Sequence, residues 1–225
     1  MMFNCYLGDG EFIEIQEKKK QICYYCHEVK EVDYICSNNS SHFFCEDCRL
    51  AEPNELIFKV AKRGVTDIIA DLNAIMAHPT FDFYSPFHHP LVATLYYSYL
   101  CTFNNESIDE GMLQKLIRKA KRYELGSCGR RGVCGAIGGI GIAVARYLHA
   151  TEETVEERNI VLQIVGKALE TVSSLELPRC CKLSTYLSIQ IANKILTKRF
   201  KLPILDIHCF FAQECELREK CPFGG

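Results

Sequence analysis

The stretch from Ser127 to Tyr147 places two closely spaced cysteines directly before an uncharged, apolar run. It reads SCGRRGVCGAIGGIGIAVARY, and no charged residue lies between Cys134 and Arg146. The run is long enough for a helix of roughly four turns and shorter than the roughly 20 apolar residues that a membrane span needs. A helix without a polar face is buried, and its small residues let neighbouring helices approach closely. We therefore predict a central helix around which the chain packs.

Cys128 and Cys134 stand at the head of this predicted helix. The first amides of a helix have no partner within the helix, and its N-terminus carries a partial positive charge. A cysteine at this position is shifted towards the thiolate, which is the form that binds metals and attacks substrates. The sequence therefore predicts a thiolate-lined site where the central helix begins.

The chain has 14 cysteines in 225 residues, and many of them occur in C-x2-C pairs or at predicted helix starts. The N-terminus shows no basic segment followed by an apolar one, so no signal peptide is expected. We therefore expect a cytoplasmic protein whose cysteines bind metal, in preference to a disulfide framework. The formal net charge of -2 argues against a general nucleic-acid coat protein.

Two C-x2-C pairs lie near the N-terminus, Cys23 with Cys26 and Cys45 with Cys48, and 18 residues separate them. This spacing is typical of two zinc knuckles that close one tetrahedral thiolate site. The surrounding segment is polar and too small to bury four free cysteines. We therefore predict a structural zinc in an N-terminal module.

Cys36 and His42 lie between the two knuckles and resemble the second ligand pair of a RING-type cross-brace. That arrangement needs a fourth pair after the second knuckle, and the next cysteine is Cys101. A RING ubiquitin ligase is therefore not expected. Two interpretations stay open: a second site completed by Cys5 or His27, or packing in the core, which we favour slightly.

Most of the remaining chain reads as helical. The apolar spacing and the capping residues predict helices over residues 53–63, 66–78, 90–103, 107–124, 151–174 and 178–200. We predict a mainly α fold: a helical bundle around the Gly/Ala-rich central helix, with a small N-terminal zinc-knuckle module containing short β-strands. The module is predicted over residues 1–50 and the cysteine-rich helical domain with its tail over residues 51–225.

Three predicted helices begin with residues that can bind a metal or transfer a proton. These residues are His88 and His89, then Cys134, then Cys180 and Cys181. Core packing explains one such cysteine well and all of them poorly, although a single histidine of this kind is more often a core residue. We therefore predict that these helix starts converge on a second centre.

The tail contains Cys209, Cys215 and Cys221 at even spacing. A Cys-Pro pair near the end of a chain is common in iron–sulfur ligation. The tail cysteines are therefore candidate ligands of an iron–sulfur cluster, and a second zinc is the alternative.

Basic residues precede the cysteine turn. The predicted helix over 107–124 carries Lys115, Arg118, Lys119, Lys121 and Arg122, and the turn beyond adds Arg130 and Arg131. These side chains form either a solvated face or a rim that attracts a phosphorylated ligand or an RNA backbone.

The order of these elements resembles an uncharacterised cysteine-rich domain family of anaerobic archaea and bacteria. The elements are Cys-x2-Cys, His42-Phe-Phe-Cys45-Glu-Asp-Cys48, Pro86-x-His88-His89, Cys128-Gly-x-x-Gly-x-Cys134-Gly-Ala, Pro178-Arg-Cys-Cys-Lys182 and Cys215-x5-Cys221-Pro-Phe. Some members of that family are joined to a methyltransferase-like domain, so the resemblance implies such a partner. The family's His-Gly-Pro-Glu-His-His segment is Tyr84-Ser-Pro-Phe-His-His89 here, which lacks the acid and the first histidine.

A second likeness involves the central cysteine element. The residues Gly129-Arg-Arg-Gly-Val-Cys134-Gly-Ala-Ile-Gly are similar to the core of a family named for its C-GCAxxG-C-C pattern and associated with redox activity. This resemblance implies a cysteine cluster for a metal centre or for redox chemistry. It does not identify a substrate.

The leading functional prediction is a metal-binding protein with one zinc and a second, iron–sulfur or redox-active centre. The second centre would use Cys128, Cys134, Cys180 and Cys181, with the tail cysteines as further candidates. A redox partner protein and an anionic small molecule are the expected partners, nucleic acid is not favoured, and no membrane is expected.

Two alternatives stay open. In the first, the protein is an enzyme in which Cys134 or Cys180 is the nucleophile or sulfur carrier and His88 or His89 is the base. Arg130, Arg131 and Arg179 would then hold an anionic substrate. In the second, the protein is a zinc-containing module that binds RNA or another protein through its basic helix.

Overall fold

The first regular structure along the chain is an antiparallel ribbon of two strands, β1 (Phe12–Ile22) and β2 (Val29–Cys36). The computed structural model describes residues 5, 7, 8, 10–39 and 41–224. Most ribbon side chains are exposed, and the register shifts between Glu14 and Lys19. The three lysines Lys18–Lys20 lie in β1, where pairing of Lys19 and Lys20 with β2 holds this stretch extended at the surface.

Nine α-helices follow within the described residues. They are α1 (Glu46–Arg49), α2 (Pro53–Lys62), α3 (Ile68–Met76), α4 (His88–Phe103), α5 (Glu110–Ala120), α6 (Ser127–Arg131), α7 (Gly135–Tyr147), α8 (Val155–Ser174) and α9 (Cys181–Phe200). Two single-turn 3-10 helices, Ala212–Glu214 and Arg218–Lys220, lie in the tail. The prediction of a mainly α fold with a small N-terminal β module is confirmed.

Helix ends differ from the predictions where another residue caps better. The Asp67 carboxylate accepts from the amides of Ile69 and Ala70, so α3 begins after Asp67 and not at the predicted residue 66. Asp109 caps α5 in the same way through the amide of Gly111, so this helix begins after Asp109 and not at the predicted residue 107. A carboxylate at the N-cap also interacts favourably with the partial positive charge of the helix N-terminus.

The glycine-rich helix α7 is the buried centre of the helical part, as predicted. Its closest neighbour is α4, and the two backbones approach each other at a glycine. A Cβ atom on Gly139 would lie 2.6 Å from the carbonyl oxygen of His89. Gly138 likewise makes room for the Tyr123 ring. The glycines of α7 are therefore required by packing.

Alanine substitution at two helical glycines is expected to have opposite effects on stability. In Gly139→Ala the new methyl group meets the α4 backbone, so we expect a loss of about 1–3 kcal/mol. In Gly166→Ala, on the exposed side of α8, nothing lies within 4 Å of the new atom, and we expect a gain of up to about 1 kcal/mol. Urea unfolding of both proteins measures the difference, and a shift in the same direction for both would contradict this packing.

Buried contacts join the ribbon region to the first helices. The Arg63 guanidinium donates to the carbonyl oxygen of Tyr25 at 2.7 Å and pairs with the buried Asp71 carboxylate. The Tyr25 hydroxyl donates to the carbonyl oxygen of Ala74 at 3.0 Å. One buried cluster contains side chains from both sides of residue 50. The division into domains at residue 50 stays a prediction.

None of the helices in the described part of the chain combines the length and the apolar character that crossing a membrane requires.

Candidate metal centres

Local backbone geometry brings the two C-x2-C pairs together. Cys23 follows β1, and the turn after it closes through a hydrogen bond from the Cys23 amide to the carbonyl oxygen of Glu28 at 2.9 Å. The second pair lies at α1, where Cys45 is the N-cap and Cys48 is within the helix. The segments meet where the Tyr24 amide donates to the carbonyl oxygen of Phe43 at 2.7 Å.

The four sulfur atoms of Cys23, Cys26, Cys45 and Cys48 lie within 4.8 Å of one another. The sulfurs of Cys26 and Cys45 are 3.7 Å apart, and the Cys45 amide donates to the Cys23 sulfur at 3.3 Å. Three of the cysteines are buried and Cys26 is half-buried. This geometry is compatible with one metal ion held by four sulfurs.

The electrostatics of this cluster favour an added cation. Hydrogen bonds from the Cys45 and Cys48 thiols lower the pKa of Cys23, and the same bond to Cys23 raises the pKa of Cys45 to about 12. The pKa of Cys48 is raised by its bonds to Cys23 and Cys45 and by burial. Without a cation, the ionisation of one thiol therefore opposes that of its neighbours. A divalent ion would allow all four sulfurs to ionise together.

A second group of cysteines lines one cavity of about 330 Å³ in the helical part. Four sulfur-bearing residues face it, namely Cys128, Cys134, Cys180 and Cys181. His89 and Arg179 also line the cavity. The starts of α4, α7 and α9 therefore meet at one place.

Two of these cysteines occupy the N-cap positions of their helices, and one of them, Cys180, also makes a side-chain capping hydrogen bond. Cys134 is the N-cap of α7, and Cys180 is the N-cap of α9. The Cys180 sulfur accepts a hydrogen bond from the Leu183 amide at 3.4 Å. Cys134 and Cys180 therefore lie directly before the first residues of α7 and α9, and α9 begins at Cys181, later than the predicted residue 178. Both sulfurs still lie where free helix amides and the helix dipole favour negative charge.

Cys181 is the first residue of α9 and is half-buried. Burial raises the pKa of its thiol, while the Arg179 guanidinium acts in the opposite direction. A bound cation would supply further stabilisation of the thiolate at this position.

The histidine pair is divided between the cavity and the core. His89 lines the cavity, and its Nδ1–H donates to the carbonyl oxygen of Tyr123 at 2.9 Å, which leaves Nε2 with its lone pair. The His89 ring packs against Gly135, where any side chain would collide with it. Burial lowers the pKa of His89, so the neutral ring is favoured.

His88 points away from this site. It is fully buried, its Nδ1–H donates to the carbonyl oxygen of Ser85 at 3.0 Å, and burial lowers its pKa to about 3. It is not among the residues that line the cavity. Of the two histidines predicted as bases or ligands, only His89 is in position.

The three arginines predicted to hold an anion are also divided. Arg179 lines the cavity, with its guanidinium 4.8 Å from the centre of the Tyr84 ring. Arg130 donates to the carbonyl oxygen of Leu125, and Arg131 forms an exposed ion pair with Glu124 at 3.4 Å. Neither of these two lines the cavity.

The tail folds back towards the start of α9. The Cys209 amide donates to the carbonyl oxygen of Phe223 at 2.8 Å, and the Cys221 amide donates to that of Leu217 at 2.9 Å. Burial raises the pKa of Cys209, and the nearby thiols of Cys180, Cys221 and Cys215 raise it further. The tail cysteines do not line the cavity, but they are close enough to Cys180 to share its electrostatic environment.

Lys182 is a residue of this region whose role the sequence did not reveal. It is 2% exposed, and its ammonium group lies 3.7 Å from the centre of the Phe83 ring and 4.4 Å from that of Phe211. It forms no salt bridge with any carboxylate in the described residues. Burial lowers the pKa of Lys182. Nearby cysteines raise this pKa, and Cys180 and Cys209 have the largest effects among them. Lys182 is thus a buried cation among thiols.

The basic helix faces a different groove. Lys115 and Lys119, together with Arg146 and His149, line a groove of about 500 Å³ that contains no cysteine. The lysines of α5 therefore do not form a rim beside the cysteine turn.

The fold and the cysteine groups define the class of protein: a cysteine-rich, mainly α-helical domain that is geometrically suited to bind metal. The family model described as "Family of unknown function (DUF5714)" matches residues 56–224. The chain therefore belongs to this family, and the predicted membership of an uncharacterised domain family is confirmed. No curated protein and no solved structure is significantly similar to the chain.

The matched region begins after the four-sulfur cluster and includes both the cavity cysteines and the tail cysteines. The resemblance to the C-GCAxxG-C-C family stays a prediction.

Proposed function

We propose that this chain is a metal-binding redox protein with two kinds of centre. A structural zinc is held by Cys23, Cys26, Cys45 and Cys48, and an iron–sulfur cluster is bound where the helix starts meet. A redox centre exchanges electrons with a partner, so the proposal includes a redox protein or redox enzyme as partner.

Zinc is the ion that best suits the N-terminal cluster. Four thiolates in two C-x2-C turns are the usual ligands of structural zinc, which prefers tetrahedral sulfur coordination and has no redox chemistry. The closeness of the four sulfurs, within 4.8 Å of one another, agrees with a single ion. The two-stranded ribbon is too small to be stable by itself, and a structural metal compensates for this.

The single observation that carries the redox proposal is the convergence of four cysteines from α6 and from the starts of α7 and α9 on one cavity. Within the described residues, these sulfurs are not among the groups that lie within 4.8 Å of one another. An iron–sulfur cluster is held by four cysteine thiolates, and four cysteines line this cavity.

Lys182 supports an anionic group at this place. A buried ammonium without a carboxylate partner is unfavourable unless other negative charge compensates for it. An iron–sulfur cluster with four thiolate ligands carries net negative charge, and the cysteines near Lys182 would supply the thiolates. The positive charge would also favour the reduced form of the cluster.

Cys180 is the ligand on which the proposal depends most, because it belongs to both cysteine sets. It lines the cavity with Cys134. It is also the cysteine whose charge most raises the pKa of the tail residue Cys221. A cluster has four cysteine ligands, so each set could complete it with Cys180. Single substitutions in each set separate the two possibilities.

The expected result is that Cys180→Ser removes iron and acid-labile sulfide from protein purified without oxygen, while zinc stays bound. Cys134→Ser should do the same if the cavity cysteines are ligands, and Cys221→Ser if the tail cysteines are. Cys101→Ser is the matched control, because Cys101 is buried inside α4 and belongs to neither set. Wild-type iron content in Cys180→Ser protein would refute the proposal.

An enzymatic role is the second candidate, and one observation favours it. His89, whose Nε2 keeps its lone pair, lines the cavity together with Cys134 and Arg179, so a base, a thiol and a cation border a space large enough for a small anion. Iodoacetamide labelling of iron-free protein tests this role. One rapidly alkylated thiol at Cys134 or Cys180 would support it, and uniformly slow alkylation of all thiols would exclude it.

A further inference from the structure

A second group of metal ligands lies in the N-terminal module, separate from the four-sulfur cluster. The sulfurs of Cys5 and Cys36 and a ring nitrogen of His42 lie within 4.8 Å of one another. The Cys5 sulfur is 3.4 Å from Nδ1 of His42. Cys5 and Cys36 are buried and His42 is half-buried.

The backbone holds these three side chains in place. Cys36 is the last residue of β2 and pairs with Phe12 of β1. The Cys5 amide donates to the carbonyl oxygen of Gly10 at 2.8 Å, which holds Cys5 at this end of the ribbon. Gly10 leaves the space that the Cys36 sulfur occupies, because a Cβ atom on Gly10 would lie only 2.7 Å from it.

The His42 ring has the orientation of a metal ligand. Its Nδ1 faces the Cys5 sulfur, and its Nε2 lies 3.1 Å from the side-chain nitrogen of Asn39. A second contact of this kind fixes the ring of a ligating histidine. The Tyr24 ring packs edge-on against the imidazole at 6.1 Å between ring centres, which limits its rotation further.

We propose that Cys5, Cys36 and His42 bind a second zinc ion. Two thiolates and an imidazole are among the common ligand sets of zinc, with one position left for water or another group. Along the chain the ligands of the two sites alternate: Cys5, then the first C-x2-C pair, then Cys36 and His42, then the second pair. The two sites are therefore cross-braced. A RING has a further ligand pair after the second knuckle, and here Cys5, before the first knuckle, provides a metal ligand in its place.

The site adds to the proposed function and is independent of the iron–sulfur centre. Because zinc and iron are counted separately in one sample, failure of either proposal is recognised without affecting the other. Packing alone is the competing explanation for this cluster, and it predicts no change in metal content when the cluster is altered.

Zinc content of the full-length protein tests the site through Cys36→Ser and His42→Gln. Each variant is expected to lose one equivalent of zinc relative to the wild type, and Cys101→Ser is expected to lose none. Wild-type zinc content in both variants would overturn the proposal.

Because the two sites are cross-braced, a substitution that unfolds the whole module would remove both zinc ions. His42→Cys then decides, because it replaces one zinc ligand with another. After cobalt substitution, this variant should keep the wild-type stoichiometry and show stronger sulfur-to-cobalt charge-transfer absorption. A cobalt spectrum identical to that of the wild type would mean that residue 42 does not bind the metal, and the proposal would be wrong.

Discussion

Cys23→Ser protein is expected to lose the zinc held by the four-sulfur cluster and to unfold the N-terminal ribbon, while the helices stay folded. Structural zinc contributes on the order of 10 kcal/mol to the folding of small zinc modules, far more than a hairpin can replace. Cys23 is fully buried, and its sulfur accepts a hydrogen bond from the Cys45 amide at 3.3 Å. Zinc content and the hydrogen-exchange protection of residues 12–36 measure the effect.

The helical circular dichroism of this variant should stay close to that of the wild type, because most of the helical residues lie beyond the ribbon. Cys101→Ser is again the matched control, since it also buries a serine hydroxyl, but inside α4 and far from the ribbon in the chain. A Cys23→Ser protein that keeps its zinc and a protected ribbon would contradict the assignment of this cluster.

Asp71→Ala protein is expected to lose about 3–5 kcal/mol of unfolding free energy, because the substitution leaves the Arg63 guanidinium buried without its counter-charge. The side chains of Arg63 and Asp71 are only 8% and 7% exposed. Arg63 also donates to the carbonyl oxygen of Tyr25, so the loss reaches the junction between the ribbon region and the helices. Burial raises the pKa of Asp71 to about 6, and urea unfolding at pH 8 therefore compares fully ionised wild type with the variant.

The surface ion pair between Lys62 and Glu110 provides the control for this prediction. Its side chains are 53% and 54% exposed, and Glu110→Ala should cost less than about 1 kcal/mol. Equal losses for Asp71→Ala and Glu110→Ala would mean that the Arg63–Asp71 pair does not stabilise the junction.

Local patterns predicted the larger features of this molecule. The uncharged glycine-rich run predicted the buried helix α7, because a helix without a polar face has no stable position at a surface. The C-x2-C spacing predicted the four-sulfur cluster, because each turn presents two sulfurs to one point. The family resemblance rested on motifs that lie largely within the matched residues 56–224.

Features that depend on contacts distant in sequence could not be predicted in this way. Adjacent residues on a helix point in different directions, so only the packing of α4 against α7 determines that His89 reaches the cavity and His88 does not. Cys5 is 31 residues from Cys36 in the sequence, and only the tertiary structure brings the two sulfurs together. The burial of Lys182 depends on two aromatic rings that are distant from each other in the sequence. Phe83 precedes α9 by about 100 residues, and Phe211 follows it in the tail.

Iron, acid-labile sulfide and zinc, counted in the same sample of protein purified without oxygen, test the redox proposal most directly. We expect iron and sulfide in comparable amounts with broad visible absorption that bleaches on reduction, together with zinc that remains after the cluster is destroyed by oxygen. Protein that contains zinc but neither iron nor sulfide would contradict the iron–sulfur centre and would favour thiol chemistry at the same cavity.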